Sequence, residues 1–119
     1  MSGSQTFVTP LRYPGGKGRL GVWLAHVIRH NDLQNGTYIE PYAGGAGAAV
    51  FLLANKYISR IVINDADPVI YAFWRAVLND SERLIELINN TPVTMETWYK
   101  QRALVDTGDI SDYTALGFA

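Results

Sequence analysis

The segment from Thr37 to Asn64 constrains the fold more than any other part of the chain. A short strand pattern, Thr37-Tyr38-Ile39-Glu40, runs into a glycine turn from Pro41 to Gly47. Small and apolar residues follow from Ala46 to Lys56, and then the β-branched run Arg60-Ile61-Val62-Ile63-Asn64. Pro41 disfavours helix in the residue before it, so the first strand ends at Glu40 or Pro41. Small residues after the turn suit a helix lying close on a sheet. The second run is continuous rather than alternating, which predicts a buried parallel strand ending at Asn64-Asp65.

The flanks extend this alternation. Leu11 to Gly18 is a turn-rich loop with a proline and three glycines, and Arg19 to His30 carries Leu20, Trp23, Leu24, Val27 and Ile28 at helical spacing. Asn31 to Gly36 is a polar break. Asp67-Pro68 puts a capping residue before a proline at the first helical position, with Val69, Ile70, Phe73, Trp74 and Val77 as an apolar face. Ser81 reads as the cap of a helix from Glu82 to Asn89 carrying Leu84, Leu87 and Ile88. Thr94 to Val105 and Ser111 to Ala119 are further helical candidates. This β-α-β-α order, with a right-handed crossover, predicts an α/β, Rossmann-like fold with ligands beyond the carboxyl ends of the strands. Two strands alone cannot cover the apolar faces of so many helices. Leu116-Gly117-Phe118-Ala119 also lies inside an apolar helical pattern. The expectation is therefore of an unfinished architecture and a truncated chain.

Composition narrows the classes. A chain of 119 residues, 48% hydrophobic and with a mean hydropathy of -0.00, matches one soluble globular unit, one domain at most. With no cysteine, a disulfide scaffold and cysteine-based metal sites are excluded, and no metal is expected. No uncharged apolar run approaches the ~20 residues that span a bilayer. Met1 to Val8 is polar and too short for a secretory core, so no membrane partner is expected and the default compartment is the cytoplasm. A net charge of -1 neither favours nor excludes nucleic acid, because local patches decide phosphate binding.

The loops carry the chemistry. Gly44, Gly45 and Gly47 directly after a strand let backbone approach a ligand closely, and Asp65 stands 18 residues beyond Gly47 at the end of the next strand. Such a carboxylate accepts both hydroxyl protons of a ribose. These features suit any adenosine-containing cofactor, a nicotinamide dinucleotide as well as S-adenosylmethionine. The dinucleotide pattern G-x-G-x-x-G is not met, since counting from Gly45 its last position is Val50. The phosphate-loop pattern fails as well, because Gly16-Lys17 is followed by Gly18 and its first glycine is replaced by Leu11.

Three segments then agree in order and spacing with a known family. Pro10-Leu11-Arg12-Tyr13-Pro14-Gly15-Gly16-Lys17, Ile39-Glu40-Pro41-Tyr42-Ala43-Gly44-Gly45-Ala46-Gly47-Ala48-Ala49-Val50-Phe51 and Ile63-Asn64-Asp65-Ala66-Asp67 resemble the DNA adenine methylase (D12 class) family of N6-adenine methyltransferases. The resemblance covers residues 10 to 80. It implies that residues 1–119 are the cofactor-binding, N-terminal part of a methyltransferase domain using S-adenosylmethionine on double-stranded DNA, with a cognate restriction endonuclease as a partner it admits. Tyr13, where many relatives have tryptophan, and Lys17 take the family's cofactor-contacting positions, and the Lys17 ammonium suits the methionine carboxylate. Glu40 and Pro41 open the glycine-loop motif, with Glu40 toward the methionine ammonium. Gly44, Gly45 and Gly47 form the backbone cradle, and Asp65 takes the ribose. Arg12 matches a basic position that touches DNA.

The family resembles other amino-methyltransferases in using D-P-P-Y, whose Asp and a backbone carbonyl accept the amine's hydrogens while the aromatic stacks on a flipped base. No D-P-P-Y occurs here; Asp67-Pro68-Val69-Ile70 is the nearest string, so no catalytic residue is assigned. The target-recognition segment is expected to be missing too. Plainer readings stand beside these: Tyr13 as a core aromatic, Lys17 as a solvated helix-start lysine, Asp65 as a strand-end cap and Glu40 as a surface carboxylate. His26 and His30, four apart, lack a third metal ligand and read as an exposed helix face. Trp23, Trp74 and Trp98 read as core, and Met95 to Gln101 mixes aromatic and basic residues as a DNA contact would. Three other functions stay open: a catalytically inactive, cofactor-binding remnant, a nicotinamide-dinucleotide-binding Rossmann domain, and an RNA or protein methyltransferase. Residues 1–119 alone are expected to transfer no methyl group to DNA. Radiolabelled methyl incorporation into a mixed-sequence duplex measures this, and incorporation above background would overturn it.

Overall fold

The computed structural model describes residues 9–13 and 16–119. Pro14 and Gly15 of the expected glycine loop, and the polar start Met1 to Val8, lie outside the described residues. The chain divides between Asn64 and Asp65 into two compact units.

In the first unit a single turn of 3-10 helix, Gly18–Leu20, leads into α1, Gly21–His30. Strand β1, Thr37–Glu40, is followed by α2, Gly47–Ala54, and by β2, Arg60–Ile63. The two strands pair in parallel, with Thr37 opposite Arg60 and Glu40 opposite Ile63. A parallel pair needs a crossover, and the loop and α2 supply it. Ala25 and Ile28 of α1 meet Phe51 and Leu52 of α2 and Ile58, with Leu24, Tyr38, Tyr57 and Ile61 packed around them. Tyr38 and Ile61 are cross-strand neighbours, so this core lies on one face of the sheet. Side chains alternate along a strand, and Glu40, two residues after Tyr38, is turned to the same face.

Ile39 and Val62, also cross-strand neighbours, occupy the other face and stay 66% and 39% exposed. The expectation of a buried β2 is corrected here: its residues alternate between exposed and half-buried. A parallel strand is buried on both faces only when helices cover both, and the core of this unit gathers on one.

The second unit is helical among its described residues: α3, Pro68–Asn79; α4, Ser81–Asn90; α5, Met95–Thr107; and α6, Tyr113–Phe118. Asp67 caps α3 through its side chain, which accepts the Val69 N–H at 2.9 Å, and Pro68 follows at the first helical position. The expected cap at Ser81 shifts by one. Ser81 is already helical and Asp80 precedes it without a side-chain cap bond, because the Asp80 carboxylate accepts the buried Thr114 hydroxyl at 2.6 Å. Arg83 clasps Asp112 with two bonds of 2.9 and 2.7 Å. That clasp, aided by the Ala115 N–H, holds the Asp112 carboxyl below its ordinary range. Of the tryptophans only Trp74 is core; Trp23 and Trp98 are exposed. The expectation of three core tryptophans is corrected at those two positions.

Helix α6 lies so near α3 that a Cβ on Gly117 would stand 2.6 Å from Phe73 Cα and N. Helix propensity alone favours alanine over glycine by about 1 kcal/mol. Overpacking against backbone costs about 1–3 kcal/mol and should win. Gly117→Ala is therefore expected to lower the urea unfolding midpoint, and an unchanged or raised midpoint would contradict this packing.

Candidate functional site

The loop after β1 is fixed by β2. The Asn64 N–H donates to the Glu40 carbonyl at 2.9 Å and the Ala43 N–H to the Asn64 carbonyl at 2.8 Å. The Asn64 side chain donates to the Pro41 carbonyl at 3.2 Å. Asn64 thus continues the strand ladder by one residue and staples the turn with its amide. The turn then reverses through two residues at positive φ, Gly44 at 50° and Ala46 at 49°. Glycine adopts this conformation without strain; Ala46 does so as the cap of α2, where its carbonyl accepts the Val50 N–H at 2.9 Å.

What faces the glycines is the chain itself. A Cβ on Gly44 would meet the Tyr13 ring at 2.8 Å, one on Gly45 the Leu11 carbonyl at 2.5 Å, and one on Gly47 the Gly18 Cα at 3.1 Å. The Thr9 hydroxyl donates to the Gly45 carbonyl. The segment before α1 is therefore strapped across the glycine loop, and the glycines are needed for that approach. A cleft of about 440 Å³ opens where strap and loop meet, its walls including Arg12, Tyr13, Gly16, Gly18, Arg19, Gly45 and Gly47. That volume lies within the range of small-molecule sites.

A charge pair joins the strap to the end of β1. Glu40 is buried, 3% exposed, and among the described residues neither carboxylate oxygen accepts a hydrogen bond. Its neutralising charge is the Lys17 ammonium, 3.1 Å from Oε1, which donates to the Tyr42 carbonyl at 2.6 Å. The 3.1 Å contact is thus an ion pair outside hydrogen-bonding geometry, and Lys17 spends its directed bond on Tyr42. The Lys17 side chain is 42% exposed and that of Glu40 only 4%, so one partner can move into water and the other cannot. The Tyr38 phenol on the same sheet face is pushed above its ordinary value, first by burial and then by the Glu40 charge.

Of the residues singled out from the sequence, Arg12, Tyr13, Gly45 and Gly47 come together on the cleft wall. Lys17 and Glu40 meet each other, Pro41 serves through its carbonyl, and Gly44 carries the turn under Tyr13. Tyr13 is 43% exposed, a partly open ring and not a core aromatic. Asp65 opens the second unit and accepts the Asp67 N–H at 3.0 Å. Among the described residues no group of three or more His, Asp or Glu is arranged to hold a metal, and no helix is long and apolar enough to cross a membrane. Sequence reading missed the loop-fixing contacts of Asn64 and Thr9 and the place of Arg19 on the cleft wall. Asn64 is visible only as a strand end, and a hydroxyl 36 residues from its acceptor leaves no local signal.

The glycine loop, and the strap from Tyr13 through Lys17 that crosses it, both fall within the stretch of the chain that a known family matches. The family described as D12 class N6 adenine-specific DNA methyltransferase matches residues 13–113, and the chain belongs to that family. It is 33% identical over 86 residues to the Type II methyltransferase M.MjaIII of Methanocaldococcus jannaschii, an alignment covering 67% of this chain and 28% of that relative. The chain thus spans under a third of that relative's length. No solved structure matches it.

The unequal exposure of the pair predicts unequal mutants. Lys17→Met strands a buried carboxylate, whereas Glu40→Gln leaves Lys17 hydrated and still bound to the Tyr42 carbonyl. An uncompensated buried charge costs several kcal/mol; with Lys17 half in water the loss should be nearer 1–2 kcal/mol. Urea unfolding should therefore find Lys17→Met the less stable variant, and the reverse order would refute this account.

Proposed function

We propose that the glycine loop binds S-adenosylmethionine, and that the parent enzyme transfers its methyl group to the N6 amine of adenine at a specific site in double-stranded DNA. The observation that carries this reading is the buried Glu40 carboxylate, held beside the loop with no hydrogen bond among the described residues and with Lys17 as its counter-ion. An amino-acid zwitterion has the complementary charges. Its ammonium satisfies Glu40, and its carboxylate takes the Lys17 ammonium, which keeps a charge partner throughout. A nicotinamide dinucleotide offers no ammonium to Glu40 and would bring its pyrophosphate toward a buried negative charge.

Bound, the cofactor supplies an electrophilic sulfonium methyl. The chain's own residues do the rest of the binding. Tyr13, partly exposed, lines the cleft with Gly45 and Gly47, and the Asn64 staple keeps the turn in register with the sheet. Asp65, next in the chain after Asn64, keeps the ribose role implied by the resemblance. The α/β order of the first unit supports the Rossmann-like methyltransferase fold for the parent domain.

Calorimetric titration of the 119-residue chain with S-adenosylhomocysteine tests the reading. Binding is expected, with Glu40→Gln weakening it at least tenfold, about 1.4 kcal/mol. 5′-Methylthioadenosine, which lacks the amino-acid part, should bind the wild type and Glu40→Gln alike. Binding of NAD in place of S-adenosylhomocysteine, or an S-adenosylhomocysteine affinity indifferent to Glu40→Gln, would overturn it.

A further inference from the structure

The net charge of -1 conceals a division. Residues 1–64 carry six lysines and arginines against two acids, Asp32 and Glu40, a formal +4; residues 65–119 carry four against nine, a formal -5. Within the first unit, Glu40 is taken by Lys17 and Arg29 stacks over the Tyr57 ring at 4.6 Å. Lys56 and Arg60 have no such partner among the described residues, and neither do Arg12 and Arg19, but only the last two stand on the cleft wall. Both of these are exposed, and the cleft they line is the one of about 440 Å³. In the second unit, by contrast, Arg75, Arg83 and Arg102 are each engaged, on Tyr71 and Tyr113, on Asp112 and on Trp98.

Two exposed guanidiniums on one cleft, with no carboxylate or ring partner among the described residues, make its mouth locally positive and suited to an anion. Exposed, hydrated arginines at the edge of a cleft suit a polymer phosphate backbone that crosses its mouth. The glycines between them, Gly16 and Gly18, keep that part of the wall free of side chains.

We propose that Arg19 is a DNA-phosphate contact that acts with Arg12, so that the cleft mouth clamps the phosphodiester backbone of the substrate strand. This rests on the reading of the parent as a DNA methyltransferase and assigns a role to a residue outside the family motifs quoted above. Both contacts are to backbone, so they position the duplex without reading its sequence.

Fluorescence anisotropy of the 119-residue chain with a labelled 20-base-pair duplex tests the proposal, at several salt concentrations and with S-adenosylhomocysteine affinity measured in parallel. Arg19→Gln is expected to weaken duplex binding about 3–10-fold and to reduce the slope of log affinity against log salt by about one unit, as loss of one phosphate contact does. S-adenosylhomocysteine affinity should stay within about twofold, as the Arg19 role is confined to phosphate. Arg60→Gln removes an exposed charge that does not line the cleft, and should change duplex binding less.

An unchanged slope in Arg19→Gln overturns the proposal, and so does an equal loss in Arg60→Gln, which would mean general charge alone. Loss of S-adenosylhomocysteine binding in Arg19→Gln reassigns the residue to the cofactor and also overturns it. A wild type that binds S-adenosylhomocysteine but no duplex removes the clamp and leaves the cofactor reading standing. Arg19-dependent duplex binding without S-adenosylhomocysteine binding does the opposite, and binding of neither ligand removes both.

Discussion

A carboxylate that cannot reach water organises the first unit. Glu40 ends β1 on the face that Tyr38 buries against α1 and α2, so strand alternation drives its charge inward. Burial of an ion is tolerable only with a counter-charge, and Lys17 supplies it from a segment 23 residues earlier in the chain. The pair therefore ties the strap to the sheet. It also leaves Glu40 without hydrogen bonds among the described residues, an incompleteness that suits a binding site better than a structural ion pair.

The glycines acquire their meaning from the same tie. Bringing Lys17 to Glu40 requires the strap to cross the loop at backbone contact distance, and Gly44, Gly45 and Gly47 stand where Tyr13, Leu11 and Gly18 cross. A methyl group at Gly45 would press on a carbonyl oxygen 2.5 Å away, which a flexible side chain could avoid but a backbone cannot. The cleft is a product of this crossing, since its walls come from both segments. Asn64 completes the assembly by binding the loop through both its backbone and its amide.

Much of this order was legible in the chain. The strand bounds around Thr37 to Glu40, the polar break before them, the turn and the capped proline helix at Pro68 follow from local rules of proline, glycine and capping chemistry that act over a few residues. The burial of β2 was not legible. Ile61-Val62-Ile63 is apolar throughout, and continuous apolar character says that a strand can be covered on both faces without saying which faces are covered. Trp23 and Trp98 failed for the same reason, as an aromatic at helical spacing matches a core whether or not a neighbour arrives to cover it. The cap at Asp80 was missed because Thr114, far along the chain, claims its carboxylate.

The family, the β-α-β order of the first unit and the residue types of the candidate site can be read along the chain, because motifs and local periodicities are properties of neighbouring residues. That Lys17 answers Glu40, that the glycines face the chain's own strap, and that Arg19 shares a cleft with Arg12 came from the folded chain alone. Those are contacts between segments separated by loops. Their geometry depends on how the helices and sheet pack, and composition and spacing carry no record of it.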